Sequence, residues 1–149
     1  MISQAVEYSL RAMVILTRSA EKPITVQAMA ERGQIPSAYL SKLLQTLTRA
    51  GLVTSQRGIG GGYTLTRTAE QIVLADIVNA VEPLKRITTC PLGIAGHATL
   101  CPLHRRLDQA LANVEAILRE TTLADLYDEN GAVPLCDLTQ LVNLTLTKE

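Results

Sequence analysis

The sequence predicts a mainly α-helical fold: three short helices, a two-stranded glycine-rich hairpin, a fourth short helix and, further along, one long helix. Three observations carry this. Hydrophobic residues make up 47% of the 149, yet Trp and Phe are absent and Tyr occurs four times, so the core must be built from Leu, Ile, Val, Ala and Met. Apolar positions recur at intervals of three and four in several separate stretches. Between Ser37 and Leu65 that period gives way to a strand-like Leu52 to Gln56, followed by Arg57-Gly58-Ile59-Gly60-Gly61-Gly62-Tyr63-Thr64-Leu65, which reads as a hairpin.

From Ser3 to Ala20, Val6, Leu10, Met13, Val14 and Leu16 mark one face of a first helix, and Pro23 stops it. Thr25 caps a second helix, Val26 to Arg32, with Val26, Met29 and Ala30 facing inward and Gly33 as its left-handed stop. Ser37 caps a third, whose stripe Leu40, Leu43, Leu44, Leu47 runs to about Ala50. Gly51 turns the chain into the hairpin. Thr68 to Gln71 forms a turn, and Leu74 to Val81 is a short amphipathic helix ended by Glu82-Pro83. Leu84 to Leu100 lacks helical periodicity. Pro102 then opens a long helix with the stripe Leu103, Leu107, Leu111, Val114, Leu118, distant enough in sequence to serve as a dimerisation strut. Thr122 to Tyr127 adds a turn or two.

The net charge is zero, but it is divided along the chain. Residues 1–67 hold eight Lys or Arg against three acids, a net of +5, and residues 68–149 hold six against eleven, a net of −5. A basic amino-terminal half suits a phosphate-facing module. A groove-reading helix with a basic hairpin beside it is the layout of a winged helix-turn-helix, so the expected partner is double-stranded DNA. The candidate contacts are Ser37, Ala38, Tyr39, Ser41, Lys42 and Arg49 on the third helix, and Arg57, Gly58, Gly60, Gly61 and Tyr63 on the wing. A nucleotide loop is a poorer reading of the glycines: no Lys-Ser or Lys-Thr follows them, and Tyr63 stands where the dinucleotide fingerprint requires Gly. No apolar run approaches the roughly 18 residues of a membrane span, and the first residues lack a signal-peptide pattern, so the expected location is the cytoplasm.

Ile35-Pro36-Ser37-Ala38-Tyr39-Leu40-Ser41-Lys42-Leu43-Leu44, then Ala50-Gly51-Leu52-Val53, then Arg57-Gly58-Ile59-Gly60-Gly61-Gly62-Tyr63 resembles the IscR and NsrR family of winged-helix repressors, the Rrf-two family. The likeness spans about residues 1–128 and takes in Leu74-Ala75-Asp76-Ile77-Val78 and Val81-Glu82-Pro83. It implies a homodimer on a palindromic operator, with the region after Pro83 as a sensor. Cys90, His97, Cys101 and His104 fall within fifteen residues, and Cys and His are ligands that hold iron–sulfur clusters. Cluster-binding members of the family carry three cysteines here. Cys90 matches the first, and Cys101-Pro102-Leu103-His104 resembles the last with its trailing histidine. The middle one is missing, and His97 stands near its place. The resemblance also matches Glu7 to an acidic ligand donated by the other subunit. The implied set is Cys90, Cys101, one of His97 or His104, and Glu7 of the second chain, around a [2Fe–2S] rather than a [4Fe–4S] cluster.

The division expected is a winged-helix domain at 1–83, a sensor loop at 84–101, a dimerisation helix region at 102–128 and a tail at 129–149. The leading function is a transcription regulator, acting as a repressor, that senses iron–sulfur, redox or nitric oxide status. The alternative is a cluster-free regulator whose acidic half binds a protein or small-molecule effector. Structural zinc is disfavoured by the ten-residue gap between Cys90 and Cys101, and an enzyme by the absence of any acyl or phosphate pocket signature. Cys136, with no spaced partner, reads as a packed thiol.

Overall fold

The computed structural model describes residues 2–19, 22–90 and 100–126. Its elements are α1 (Gln4–Thr17), α2 (Val26–Gly33), α3 (Ser37–Arg49), β1 (Val53–Gln56), β2 (Gly62–Leu65), a 3-10 turn at Ala69–Gln71, α4 (Leu74–Val81), α5 (Pro102–Glu120) and a second 3-10 turn at Ala124–Leu126. The order matches the sequence reading, and the differences lie at the joints.

Ser3 caps α1, its hydroxyl accepting from the Val6 N–H. The helix ends at Thr17, three residues short of the expected Ala20. The hydroxyls of Thr17 and Ser19 donate to the Met13 and Leu16 carbonyls, so local side-chain bonds close the last turn well before Pro23. Thr25 caps α2 as expected, accepting from Ala28 N–H at 3.2 Å.

The left-handed stop of α2 is Gln34 (φ 52°), not Gly33, which is the last helical residue. Glycine at 33 serves packing instead: a Cβ there would lie 3.0 and 3.1 Å from the Ile35 and Ile15 methyls. Gln34 bears its strained backbone with help from its own amide, which donates to the Glu31 carbonyl. The cap of α3 is likewise displaced by one. Pro36, not Ser37, is the N-cap, and its carbonyl accepts the N–H groups of Tyr39 and Leu40 at 3.0 and 2.9 Å. Ser37 is already helical, with its carbonyl accepting from the Ser41 hydroxyl.

After Gly51 (φ 72°), Leu52 is a joint rather than a strand residue: its N–H donates to Leu47 and its carbonyl accepts from Thr66. β1 and β2 pair antiparallel from Val53↔Leu65 to Gln56↔Gly62. Ile24 adds a short third rung, exchanging backbone bonds of 3.0 and 2.8 Å with Tyr63. A Cβ at Gly62 would sit 2.5 Å from the Ile24 backbone, so only glycine lets that rung form.

The core is continuous across α1 to α4, with Met13, Met29, Leu40, Leu44, Leu47, Leu52, Ile72 and Ile77 among its fully buried side chains. It closes on the far end of α5. Leu118 and Leu123 are buried in it, Thr121 accepts from Leu74 N–H, and Leu123 N–H donates to Ile72. Most of α5 has no such cover, since only Leu118 of its nineteen residues is buried. Leu103 (63% exposed), Leu107 (48%), Val114 (41%) and Ile117 (61%) stand open along one stripe.

Candidate nucleic-acid interface and thiol centre

α3, the expected reading helix, buries Leu40, Leu43, Leu44 and Leu47 and leaves Ser37, Ala38, Tyr39, Lys42 and Arg49 exposed, while Ser41 is half-buried. Tyr39 is held from the side. Its ring meets Tyr8 of α1 edge to face, with centroids 5.9 Å apart, and the Arg11 guanidinium lies 5.5 Å from the Tyr8 ring centre. Arg11 also donates to the Gly33 carbonyl at 2.7 Å and pairs with Glu7 one turn earlier. One arginine thus ties the start of α1 to the turn that delivers α3.

At the wing, Gly58 (φ 99°) and Gly60 (φ 76°) turn the chain through conformations that other residues resist. Gly61 donates to the Gly58 carbonyl, and a Cβ on it would lie 2.3 Å from the Gln56 oxygen. Arg57 is exposed, and Ile59 at the tip is wholly so. Sequence reasoning passes over Ile59 because an aliphatic residue in a basic loop carries no charge signal. Tyr63 sits differently from the rest of the wing set: its ring packs against the core and its backbone holds the Ile24 rung.

The second candidate site lies where the segment after α4 meets the start of α5. Cys101 is the N-cap of α5, Pro102 its first residue and His104 its third. The His104 Nδ1 lies 3.2 Å from the Cys101 Sγ and 3.7 Å from the Cys90 Sγ. All three are half-buried, and their ligand atoms lie within 4.8 Å of one another. Two thiols and an imidazole at this spacing suit three positions around one soft or borderline metal centre.

Of the other expected ligands, His97 lies outside the described residues, as does Cys136. Among the described residues Glu7 does not join the thiols within one chain, being engaged by Arg11.

What the sequence reading missed beside this centre is a charged clamp. Arg86 donates through Nε and Nη2 to the two oxygens of Asp108 at 2.7 and 2.6 Å, and Ile87 N–H adds a third bond at 2.9 Å. Arg86 also approaches Glu115 at 3.8 Å, and Glu115 pairs with Arg119. The hydrogen bonds from Arg86, helped by the Ile87 N–H, hold the Asp108 carboxyl below its usual range. The only advance signal is the pair of basic residues Lys85 and Arg86 before the cysteine segment and the three acids of α5, spaced too far apart in sequence to be paired by a local rule.

Among the described residues no helix is long and apolar enough to cross a membrane. A profile of the family described as "Rrf2: Iron-dependent Transcriptional regulator" matches residues 2–129. A Synechocystis protein named "Putative HTH-type transcriptional regulator slr0846" is 37% identical over 128 residues, covering 80% of this chain and 82% of that one. CymR, the global cysteine regulator of B. subtilis, superposes with a TM-score of 0.72 at 30% identity, covering 85% of this chain and 95% of that one. T. potens IscR gives 0.73 at 27% identity, covering 89% and 92%. These relatives are regulators, not enzymes. With a family match that takes in all the described residues and a winged helix to go with it, the chain belongs to the Rrf2 family of transcriptional regulators.

Proposed function

We propose that this regulator acts as a homodimer on a palindromic DNA operator and that Cys90, Cys101 and His104 hold an iron–sulfur cluster, [2Fe–2S] in the reading we favour. The observation that carries the sensor part is the convergence of those three ligand atoms within 4.8 Å. A cluster there would supply a reversible redox or nitric-oxide-reactive centre. The remaining ligand would come from His97 or from Glu7 of the partner subunit. The open stripe of α5 supports the dimer, because leaving Leu103, Leu107, Val114 and Ile117 in water is what a helix destined for a second copy would do.

On DNA, the exposed start of α3 would enter the major groove, and Arg57 with the glycine tip would follow the backbone into the minor groove. Two such heads read half-sites about one helical turn apart, so a small rotation at α5 changes whether both engage. In this reading the output is repression, as the resemblance to the winged-helix repressors suggests, and the place of action is the cytoplasm.

Anaerobic purification with iron and acid-labile sulfide analysis tests the sensor. The expected result is a coloured protein with visible charge-transfer bands that Cys90→Ser and Cys101→Ser each abolish. A colourless, iron-free and sulfide-free preparation removes the cluster and leaves the second reading, a cluster-free regulator answering to a protein or small molecule. The likeness to CymR, named as a cysteine regulator, favours that second reading.

A further inference from the structure

We propose that Asp108 is the positioning residue of the thiol centre: through Arg86 and the Ile87 N–H it holds the incoming segment so that Cys90 is delivered to Cys101 and His104. His104 and Asp108 are four residues apart on α5, so they share a face one turn apart, and Glu115 continues that polar stripe. Cys101 and His104 belong to α5 and are set by the helix itself. Cys90 belongs to a segment with no helix or strand, and the bonds that tie residues 83–90 to α5 are those of Arg86 and Ile87 and the Cys90–His104 contact.

The magnitudes favour a dedicated anchor. Leu84 is the last residue of this segment packed against the core, six residues before Cys90, which allows a reach of roughly 20 Å. Pinning Ile87, three residues before Cys90, cuts that reach to roughly 10 Å and the accessible volume roughly eightfold. The bidentate geometry adds direction: a guanidinium fork on a carboxylate fixes an orientation, which a lysine would not. This inference concerns the same centre as the cluster reading and deepens it, but it rests on the thiols and not on the metal.

The test uses the full chain carrying Cys136→Ser, free of metal, with dibromobimane, which fluoresces only after bridging two thiols. Bridging of Cys90 to Cys101 should slow on the order of eightfold in Asp108→Ala, while monofunctional alkylation of Cys101 stays at the parent rate. Arg86→Lys, which keeps the charge and loses the fork, should slow bridging by a smaller factor. Cobalt(II) binding by the same variants should weaken about tenfold, the scale seen when an outer-shell partner of a metal ligand is removed. Bridging in Asp108→Ala within about twofold of the parent overturns the proposal. So does an equal change at Cys101, which would mark a general loosening of α5. If Asp108→Ala does not fold, Arg86→Lys decides by the same rates. The outcomes separate cleanly from the cluster: an iron-free protein with Asp108-dependent bridging keeps the clamp and loses the cluster, and an iron-loaded protein indifferent to Asp108 does the reverse.

Discussion

α1 and α5 are both amphipathic, yet they are finished to different degrees. α1 buries seven of its fourteen residues against α2, α3 and α4, whereas α5 buries one of nineteen. The winged-helix half therefore carries its own core, and the surface proposed to read DNA is presented by a scaffold packed within one chain. Among the described residues the arm is held by Leu118 and Leu123 in the core toward its far end, and by Arg86 on Asp108 and Glu115, with the thiol group, toward its start. A regulator needs this contrast, because a rigid reader can be repositioned only by a part whose own packing is left open to a partner or a signal.

The largest effect should come from setting one leucine in each region against the other. Leu44→Ala empties a fully buried site and should cost about 2–5 kcal/mol, read as a lower urea midpoint at every protein concentration. Leu107→Glu, on the open stripe, should leave the unfolding of the single chain near the parent's and remove the concentration dependence that a dimer imposes. A concentration-independent midpoint in the parent, with Leu107→Glu behaving identically in sedimentation, would break the comparison, since α5 would then be complete without a second copy.

Legibility in the sequence followed the same division. The helices of the winged-helix half are visible in the sequence because their burial is local and periodic: Leu40, Leu43, Leu44 and Leu47 declare one face, and the pattern from Leu74 to Val81 coincides with α4. The misplacements came where two demands fell on one residue. Gly33 looked like a left-handed cap but is a close-packing glycine, because nothing in the sequence tells that Ile15 and Ile35 will converge on it. The side chain of Ser37 suits a cap, whereas Pro36 takes the position with its fixed φ and with a carbonyl that accepts from Tyr39 and Leu40. In the arm, Cys90, Cys101 and His104 were legible as residue types, and their convergence follows from a clamp between residues 86 and 108 that no periodicity announces.

A middle-sized effect should separate charge from shape on the reading half. Arg57→Ala and Lys42→Ala should each weaken operator binding by about 1–3 kcal/mol with the dimer intact. For each phosphate that a variant no longer neutralises, the dependence of log affinity on log salt should flatten by about 0.9. Ile59→Ala tests the tip without altering charge and should leave that slope where it was. Unchanged affinity and slope in both basic variants would mean that the net +5 of residues 1–67 faces something other than this nucleic acid.

The smallest effect should appear in acid, and it should fall on the connecting pieces. Three surface carboxyls are held below their ordinary values: Asp108 by hydrogen bonds from Arg86, Asp125 by the Thr122 N–H and hydroxyl, and Glu70 by its own backbone N–H and the Thr68 hydroxyl. A depressed folded pKa means the unfolded chain takes up protons first as pH falls. Their contribution is therefore complete above the unfolded values, about 3.9 for Asp and 4.3 for Glu, and is lost as pH drops through the lower folded values. Asp108 pins the cysteine segment, and Asp125 shapes the turn by which the chain leaves α5. Urea midpoints should thus fall modestly from pH 5 toward pH 3, with dibromobimane bridging of Cys90 to Cys101, measured after return to neutral pH, restored in full. Asp108→Asn should remove its share of that slope while leaving the Leu44→Ala penalty unchanged. A midpoint that rises on acidification would show that these contacts favour the protonated acids, and the arm would then owe its place to packing rather than to charge.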